Sequence, residues 1–458
     1  MEAHSPLHIA MCPWFALGHI TSFLHISNKL AKKGHKISFF IPTKTQSKVS
    51  HFNLFPHLIS FVPITIPLVD GLPPGSETTN DVPRPLIPLI MTAMDRAEPD
   101  FEILLHDLKP DIVFFDSAHW IPKLARRLSI KSVFYITVSA VAIGFNLSRN
   151  MKLGESKATD VAEAMQPPPG FPDSSIKRLL HEARDYIDLR SKPLGPTNMR
   201  IQDRIYVGVQ DCDALAFKSC REIEGPFVEY LERLILKPLL LAGPVLPVRP
   251  LSTLEEKWAN WLGGFKPCTV VYCAFGSETA LRKDQLQELL LGLELSGLPF
   301  LAALRPPLEV ATLKEALPEG FEERVRGRGV VHEGWIQQQL MLEHKSVGCF
   351  VTHCGWGSLV EGLLNGCELV MIPQVGDQVL NARLMGNNLK VGVEVAKGEE
   401  DGLFTRESVC NAIRTVMEEN YSEVGREIRA NRAKLQDQLF NKDEEYIDEF
   451  SRKLVLFP

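Results

Sequence analysis

The stretch "VGCFVTHCGWGSLVEGLL" (347–364) limits the fold more than any other part of the chain. Apolar β-formers run up to His353, Gly355 and Gly357 mark a turn, and Leu359, Leu363 and Leu364 then recur at helical spacing. A strand that passes through a glycine-bearing turn into a helix N-terminus brings free backbone N–H groups and the positive helix end together. That arrangement takes an anion. His353 and the Ser358 hydroxyl stand beside it, and Glu361 lies one turn into the helix, within reach of a ribose diol. The physics describes the phosphate of a nucleotide without saying which nucleotide.

The same alternation runs through the chain. "LHIAMCPW" (7–14), "HKISFFIP" (35–42), "LISFVPI" (58–64), "DIVFFD" (111–116) and "KSVFYIT" (131–137) read as buried strands with helical segments between them. Continuous apolar strands separated by helices form parallel sheets covered on both faces. Residues 150–200 carry many turn residues, "MQPPPGFPDSS" among them, and read as an irregular excursion. "VLPVRPLSTLEE" (245–256) reads as a linker, after which a second α/β alternation begins. The expected class is α/β, with two doubly wound Rossmann-like lobes facing a cleft. The lobes are expected over 1–244 and 257–435, and the last sixty residues read as charged amphipathic helices.

A chain of 458 residues is too long for one ordinary domain, which agrees with two lobes. A net charge of −6 gives no reason to expect a nucleic-acid partner. Nine scattered cysteines, mostly in apolar runs, suggest reduced thiols and a cytoplasmic protein. "MEAHSPLHIAMCPW" lacks the basic start of a signal peptide, and no uninterrupted apolar run reaches the ~18 residues of a membrane span.

Several residues stand where strands end, which is where parallel α/β sheets bind ligands. His19, at the first strand-to-helix switch, is suited to act as a general base or to cap the helix. Asp116 follows "DIVFF" and either orients His19 or caps the next helix. Ser277, in "AFGSE", offers a phosphate a short turn. Trp335 stacks on a flat base or fills core. Asp377 and Gln378 pair a carboxylate with an amide, which suits a polyhydroxylated sugar, or Asp377 caps a helix. His344, Cys349, His353 and Cys354 resemble zinc ligands by letter only, because no C-x-x-C pair accompanies them. "DCD" (211–213) reads as punctuation before a strand rather than as a metal–diphosphate pair. No G-x-G-x-x-G follows the first strand, which weakens an oxidoreductase reading.

Trp335 to Gln378 resembles the 44-residue signature box of plant family 1 UDP-sugar glycosyltransferases. W-x-x-Q opens it at Trp335 and Gln338, HCGW-x-S follows at His353–Ser358, then Glu361, and DQ closes it. The likeness extends to "GH" (18–19), "FFDSAHW" (114–120) and "AFGS" (274–277). "CPWFA-x-GH", "KPDIVFFD" and "CREIEGP" resemble the branch that adds a sugar to a sugar already on a flavonoid or anthocyanin. The resemblance implies the GT-B fold, with the UDP-sugar donor held by the second lobe, a glycosylated phenolic acceptor by the first, and a final helix over 436–458 packing back on the first lobe. It implies His19 as base and Asp116 as its partner. Trp335 and Ile336 would lie at uracil, Gln338 near base and ribose, and Glu361 on the ribose hydroxyls. Ser277, His353, Trp356, Gly357 and Ser358 would surround the diphosphate, and Asp377 and Gln378 the sugar.

One position departs from the box: Gly357 stands where the family usually has Asn. Its N–H remains available, so the departure implies altered donor selection rather than lost binding. The resemblance further implies a monomeric inverting enzyme without a metal, transferring to the 2''-hydroxyl of a flavonoid glycoside. Glucose is the first donor by family habit; xylose, rhamnose, apiose and arabinose stay open. So do a terpenoid glycoside or an aglycone as acceptor, and a non-catalytic binding protein.

Overall fold

Apolar runs become parallel strands in the computed structural model, which describes residues 6–150, 160–245, 253–276, 279–418, 422–439 and 442–457. Two compact units divide the chain: Met1–Lys157, Asp188–Val248 and Asn441–Pro458 form one, and Ala158–Ile187 with Arg249–Phe440 the other.

In the first unit β1 (His8–Cys12), β2 (Lys36–Pro42), β3 (Ile59–Ile64), β4 (Ile112–Phe115) and β5 (Lys131–Ile136) are followed by a two-stranded hairpin of β6 (Pro193–Leu194) and β7 (Met199–Arg200). β8 (Ala214–Phe217) and β9 (Leu239–Leu241) complete the main sheet. Its order is β3-β2-β1-β4-β5-β8-β9, parallel throughout. The chain winds outward from β1 in one direction, then from β4 in the other. β1 and β4 are therefore the switch point, where the two following loops part and leave a crevice. The Leu17–Lys32 helix buries Ile20, Phe23, Leu24 and Leu30 against this sheet. The final helix, Lys442–Val455, adds Ile447, Phe450 and Leu454 to the same core.

The second unit repeats the plan. β10 (Val270–Ala274), β11 (Phe300–Leu304), β12 (Gly329–Glu333), β13 (Val347–Thr352), β14 (Glu368–Met371) and β15 (Gly392–Glu394) pair in the order β12-β11-β10-β13-β14-β15. All are parallel, and the switch point lies between β10 and β13. Val271, Cys273, Leu289, Leu293, Cys349, Val351 and Val370 lie at the centre of its core.

The excursion departs from the sequence reading. Residues 158–187 group with the second unit rather than the first, and much of the 150–200 stretch is helical (Val161–Met165 and Leu180–Ser191). The ties to the second unit are largely polar. Arg383 donates to both oxygens of buried Glu182, at 3.0 and 3.1 Å, and also pairs with Glu394. Asn388 donates to Asp173 at 2.7 Å. A carboxylate buried against an arginine leaves no trace in an apolar pattern, so the packing was hidden. Cys268 is exposed and the other eight cysteines are buried, all of them free. No helix among the described residues is long and apolar enough to cross a membrane.

Candidate active site

Each switch point holds a histidine. In the first unit the register pairs Cys12 with Phe115, so the segments leaving β1 and β4 emerge side by side. Asp116 comes directly after β4. Its Oδ1 accepts the N–H groups of Trp14 (2.7 Å) and Ser117 (2.5 Å), and its Oδ2 lies 2.6 Å from His19 Nδ1. Asp116 is buried, and it is not a helix cap: the next helix begins at Ile121 with Trp120 before it. Two backbone donors fix the carboxylate and leave one oxygen for the imidazole. His19 sits in the first turn of the Leu17–Lys32 helix, its side chain about one-third exposed at 32%. A carboxylate accepts only, so Nδ1 carries the proton and Nε2 keeps a lone pair. The ring is thereby oriented with Nε2 as the nitrogen able to take up a proton.

The sequence reading had missed Thr137, whose hydroxyl lies 3.3 Å from His19 Nδ1. It follows β5, which neighbours β4 in the sheet, so strand order would have pointed to it.

In the second unit the register pairs Ala274 with Thr352, which brings Gly276 and His353 together. The His353 ring is packed between glycines. A Cβ on Gly276 would lie 2.9 Å from its Cε1, and one on Gly355 2.7 Å from its Nε2. Gly276 also has φ +70°, a conformation that side chains disfavour. Cys354, between His353 and Gly355, takes φ 70° without being glycine, a local cost that sharpens the turn. Burial pulls the His353 pKa down to about 4, partly offset by the Ala274 carbonyl. The ring is neutral at neutral pH, so it offers a hydrogen bond and not a charge. The electropositive element here is the N-terminus of the Trp356–Leu364 helix, whose Gly355 cap makes no side-chain hydrogen bond.

The remaining box residues surround this turn. Gln338 Nε2 donates to Glu361 Oε2 at 2.8 Å and to Ser358 Oγ at 3.3 Å, which joins three of the expected residues. Trp335 exposes 66% of its surface, whereas Ile336 and Trp356 are buried. Gly357 is the second residue of the Trp356–Leu364 helix. Asp377 precedes the Gln378–Arg383 helix but makes no side-chain cap; its Oδ2 accepts from Asn381 Nδ2 at 2.9 Å. Asn381, also missed, donates to the Cys354 carbonyl at 3.0 Å and so ties this helix to the His353 turn. Gln378 Oε1 accepts the N–H groups of Gln374 and Val375. Ser277 lies outside the described residues. Among the described residues no group of three or more His, Cys, Asp or Glu is placed to hold a metal ion.

A double Rossmann-like architecture with a nucleotide-type turn in one unit and a His–Asp pair in the other defines a class of group-transfer enzymes. The chain belongs to the UDP-glycosyltransferase family and has the GT-B fold. Residues 257–427 match the family model described as UDP-glucoronosyl and UDP-glucosyl transferase. Cyanidin 3-O-galactoside 2''-O-xylosyltransferase FGGT1 of Actinidia chinensis var. chinensis is 59% identical over 449 residues, 98% of both chains. Anthocyanidin 3-O-glucoside 2''-O-glucosyltransferase of Ipomoea nil is 55% identical over 449 residues, 98% of this chain and 97% of its own. A UDP-glucose: anthocyanidin 3-O-glucosyltransferase solved with UDP superposes with a TM-score of 0.78 at 22% identity, covering 99% of each chain.

Proposed function

We propose that this protein transfers a sugar from a UDP-sugar to the 2''-hydroxyl of the sugar of an anthocyanidin or flavonoid 3-O-glycoside, with inversion at the anomeric carbon. The observation that carries the chemistry is the His19–Asp116 pair, 2.6 Å apart at the switch point of the first sheet. Relatives at 55–59% identity, each named for 2''-O transfer onto a glycoside, support the acceptor.

The acceptor hydroxyl gives its proton to His19 Nε2, and its oxygen attacks the anomeric carbon from the face opposite the diphosphate. The carbon–oxygen bond to UDP breaks in the same step, and UDP leaves with the electron pair. Asp116 balances the imidazolium that forms. Negative charge gathers on the diphosphate, where the Trp356–Leu364 helix start supplies N–H donors. In this reading Trp335 stacks on uracil with Ile336 beneath it. Gln338 and Glu361 hold the ribose, His353, Gly357, Ser358 and Ser277 the diphosphate, and Asp377 and Gln378 the sugar. The first unit takes the acceptor and the second the donor. The protein works as a cytoplasmic monomer without a metal.

Glucose is the first donor of this reading. Xylose is a second, favoured by the xylosyl transfer named for the relative at 59% identity. Purified protein given UDP-glucose or UDP-xylose, with cyanidin, its 3-O-glucoside and its 3-O-galactoside, tests both by product mass. The expected product is a glycoside gaining one hexose or one pentose. Transfer to cyanidin alone, or no transfer under any pairing, overturns the reading.

A further inference from the structure

The turn that carries Asp116 carries a second histidine. His119 lies three residues on, and its Nδ1 is 3.2 Å from Arg204 Nη1 in the Ile201–Asp211 helix. A guanidinium has no lone pair to offer, so Arg204 donates and Nδ1 accepts. The ring proton is therefore on Nε2. Arg204 is fixed in turn: it forms a two-point pair with Asp95 of the Ile87–Arg96 helix, at 2.9 and 2.5 Å. Its Nη2 also donates to the Leu194 carbonyl at 3.1 Å, and Trp120 Nε1 donates to Asp95 at 3.3 Å. Both partners are buried, with side chains 2% and 5% exposed.

The clasp is shape-specific. Gly195, at φ +67° in the β6–β7 hairpin, leaves no room for a Cβ, which would meet Asp95 Oδ2 at 2.3 Å and Arg204 Nη2 at 2.4 Å. Apolar residues of similar volume commonly match or exceed a buried ion pair in stability, so such a pair is better explained by what it orients. What it orients is His119. The Nε2 atom has no hydrogen-bond partner among the described residues and is not closed off from solvent. Burial and the nearby Arg204 and Lys123 outweigh Asp95 and lower the ring's pKa, so it stays neutral. A neutral N–H donor suits an uncharged hydroxyl oxygen.

We propose that His119 is a specificity-determining residue that donates its Nε2–H to a hydroxyl oxygen of the sugar already carried by the acceptor, with Arg204 and Asp95 as positioning residues that fix its tautomer and ring plane. The proposal rests on the sugar-on-sugar reading above.

The test compares steady-state kinetics of the parent enzyme, His119→Ala and His119→Gln on cyanidin 3-O-glucoside and on the UDP-sugar donor. Loss of one hydrogen bond of ordinary strength corresponds to a rise in acceptor KM of about five- to tenfold. His119→Ala should show that rise with donor KM unmoved, and His119→Gln, whose amide also donates, should recover most of it. Arg204→Lys keeps the charge but loses the fork. It should raise acceptor KM in the parent background and not in the His119→Ala background. Parent transfer to the glucoside with acceptor KM unmoved in His119→Ala overturns the His119 assignment alone, as does an equal rise in both KM values. Equal rises on Arg204→Lys in the two backgrounds overturn the positioning role. A parent enzyme that glycosylates only aglycones overturns the sugar-on-sugar reading and this proposal with it.

Discussion

His19 owes its place to Asp116, and Asp116 owes its aim to two peptide N–H groups, those of Trp14 and Ser117. Positioned proton transfer of this kind contributes about 10²–10⁴-fold to rate. His19→Ala should lower kcat by at least 10²-fold while the affinity for UDP, measured by calorimetry, stays within about twofold. Turnover like the parent's would remove His19 from the mechanism. Trp335 makes the complementary case. Its exposed ring should lose about 1–3 kcal/mol of stacking on Trp335→Ala, read as weaker UDP binding in the same experiment; unchanged affinity would exclude the ring from the uracil site. The strand-to-helix switch singles out His19, and the W-x-x-Q of the signature box singles out Trp335. Thr137 also follows a strand, but the residue it meets, His19, is 118 residues away in sequence, so no local pattern marks the contact. Asn381 was hidden for a different reason: its contact with Asp377 is an ordinary i,i+4 pair, and the Cys354 carbonyl that it also reaches lies 27 residues away.

Among the elements, the Ala140–Asn150 helix depends on a buried carboxylate. Glu224 Oε1 accepts the Val141 N–H at 2.8 Å, at the start of that helix, and Oε2 accepts the Ser219 hydroxyl at 2.5 Å. The Arg221–Leu234 segment breaks its helical backbone at Glu224 (φ −124°, ψ 18°) to bring the side chain there. Complete burial raises the Glu224 pKa to about 7, despite the Ser219, Val141 and Ala140 donors. The ordinary value is lower, so between about pH 4.5 and 7 the folded chain holds a proton that the unfolded chain has released. Stability from this group is full below that window and falls as pH rises through it, by an amount on the order of 3 kcal/mol. In Glu224→Gln that part of the decline should vanish from melting temperatures taken between pH 5 and 7.5; an unaltered slope would remove Glu224 as its source. Most strands could be read from apolar runs and glycine turns. The Leu180–Ser191 helix could not, because it is attached through Glu182 and Arg383 instead of an apolar stripe.

On the scale of the whole chain, both sheets place the candidate site residues where the winding reverses: Asp116 and His19 beside β1 and β4, and His353 and Gly276 beside β10 and β13. The two-unit α/β architecture followed from the strand–helix alternation. The route of the chain between the units did not, since it depends on packing that has no local code. The last helix is the exception, because the family resemblance implies its return to the first unit's core. Ile447, Phe450 and Leu454 are at most 1% exposed within the first unit's core, and Phe450 lies 6.2 Å from Phe114 between ring centres. Truncation of a buried Phe to Ala costs about 3–5 kcal/mol, so a chain ending at Leu439 should lose the stability of the first unit outright. Differential scanning calorimetry on that truncated chain checks this, and a melting profile like the parent's would show the helix to be dispensable.

The same helix sets a timetable for synthesis. The ribosome delivers the first unit's sheet early, then the chain from Arg249 to Phe440, and only afterwards the residues that complete the first core. At roughly 5–20 residues per second, that interval is ~10–40 s. Through it the first unit's apolar residues lack Ile447, Phe450 and Leu454, which complete their core. The lobe translated first is thus the last to be finished, and in the interim it is a natural client for chaperones.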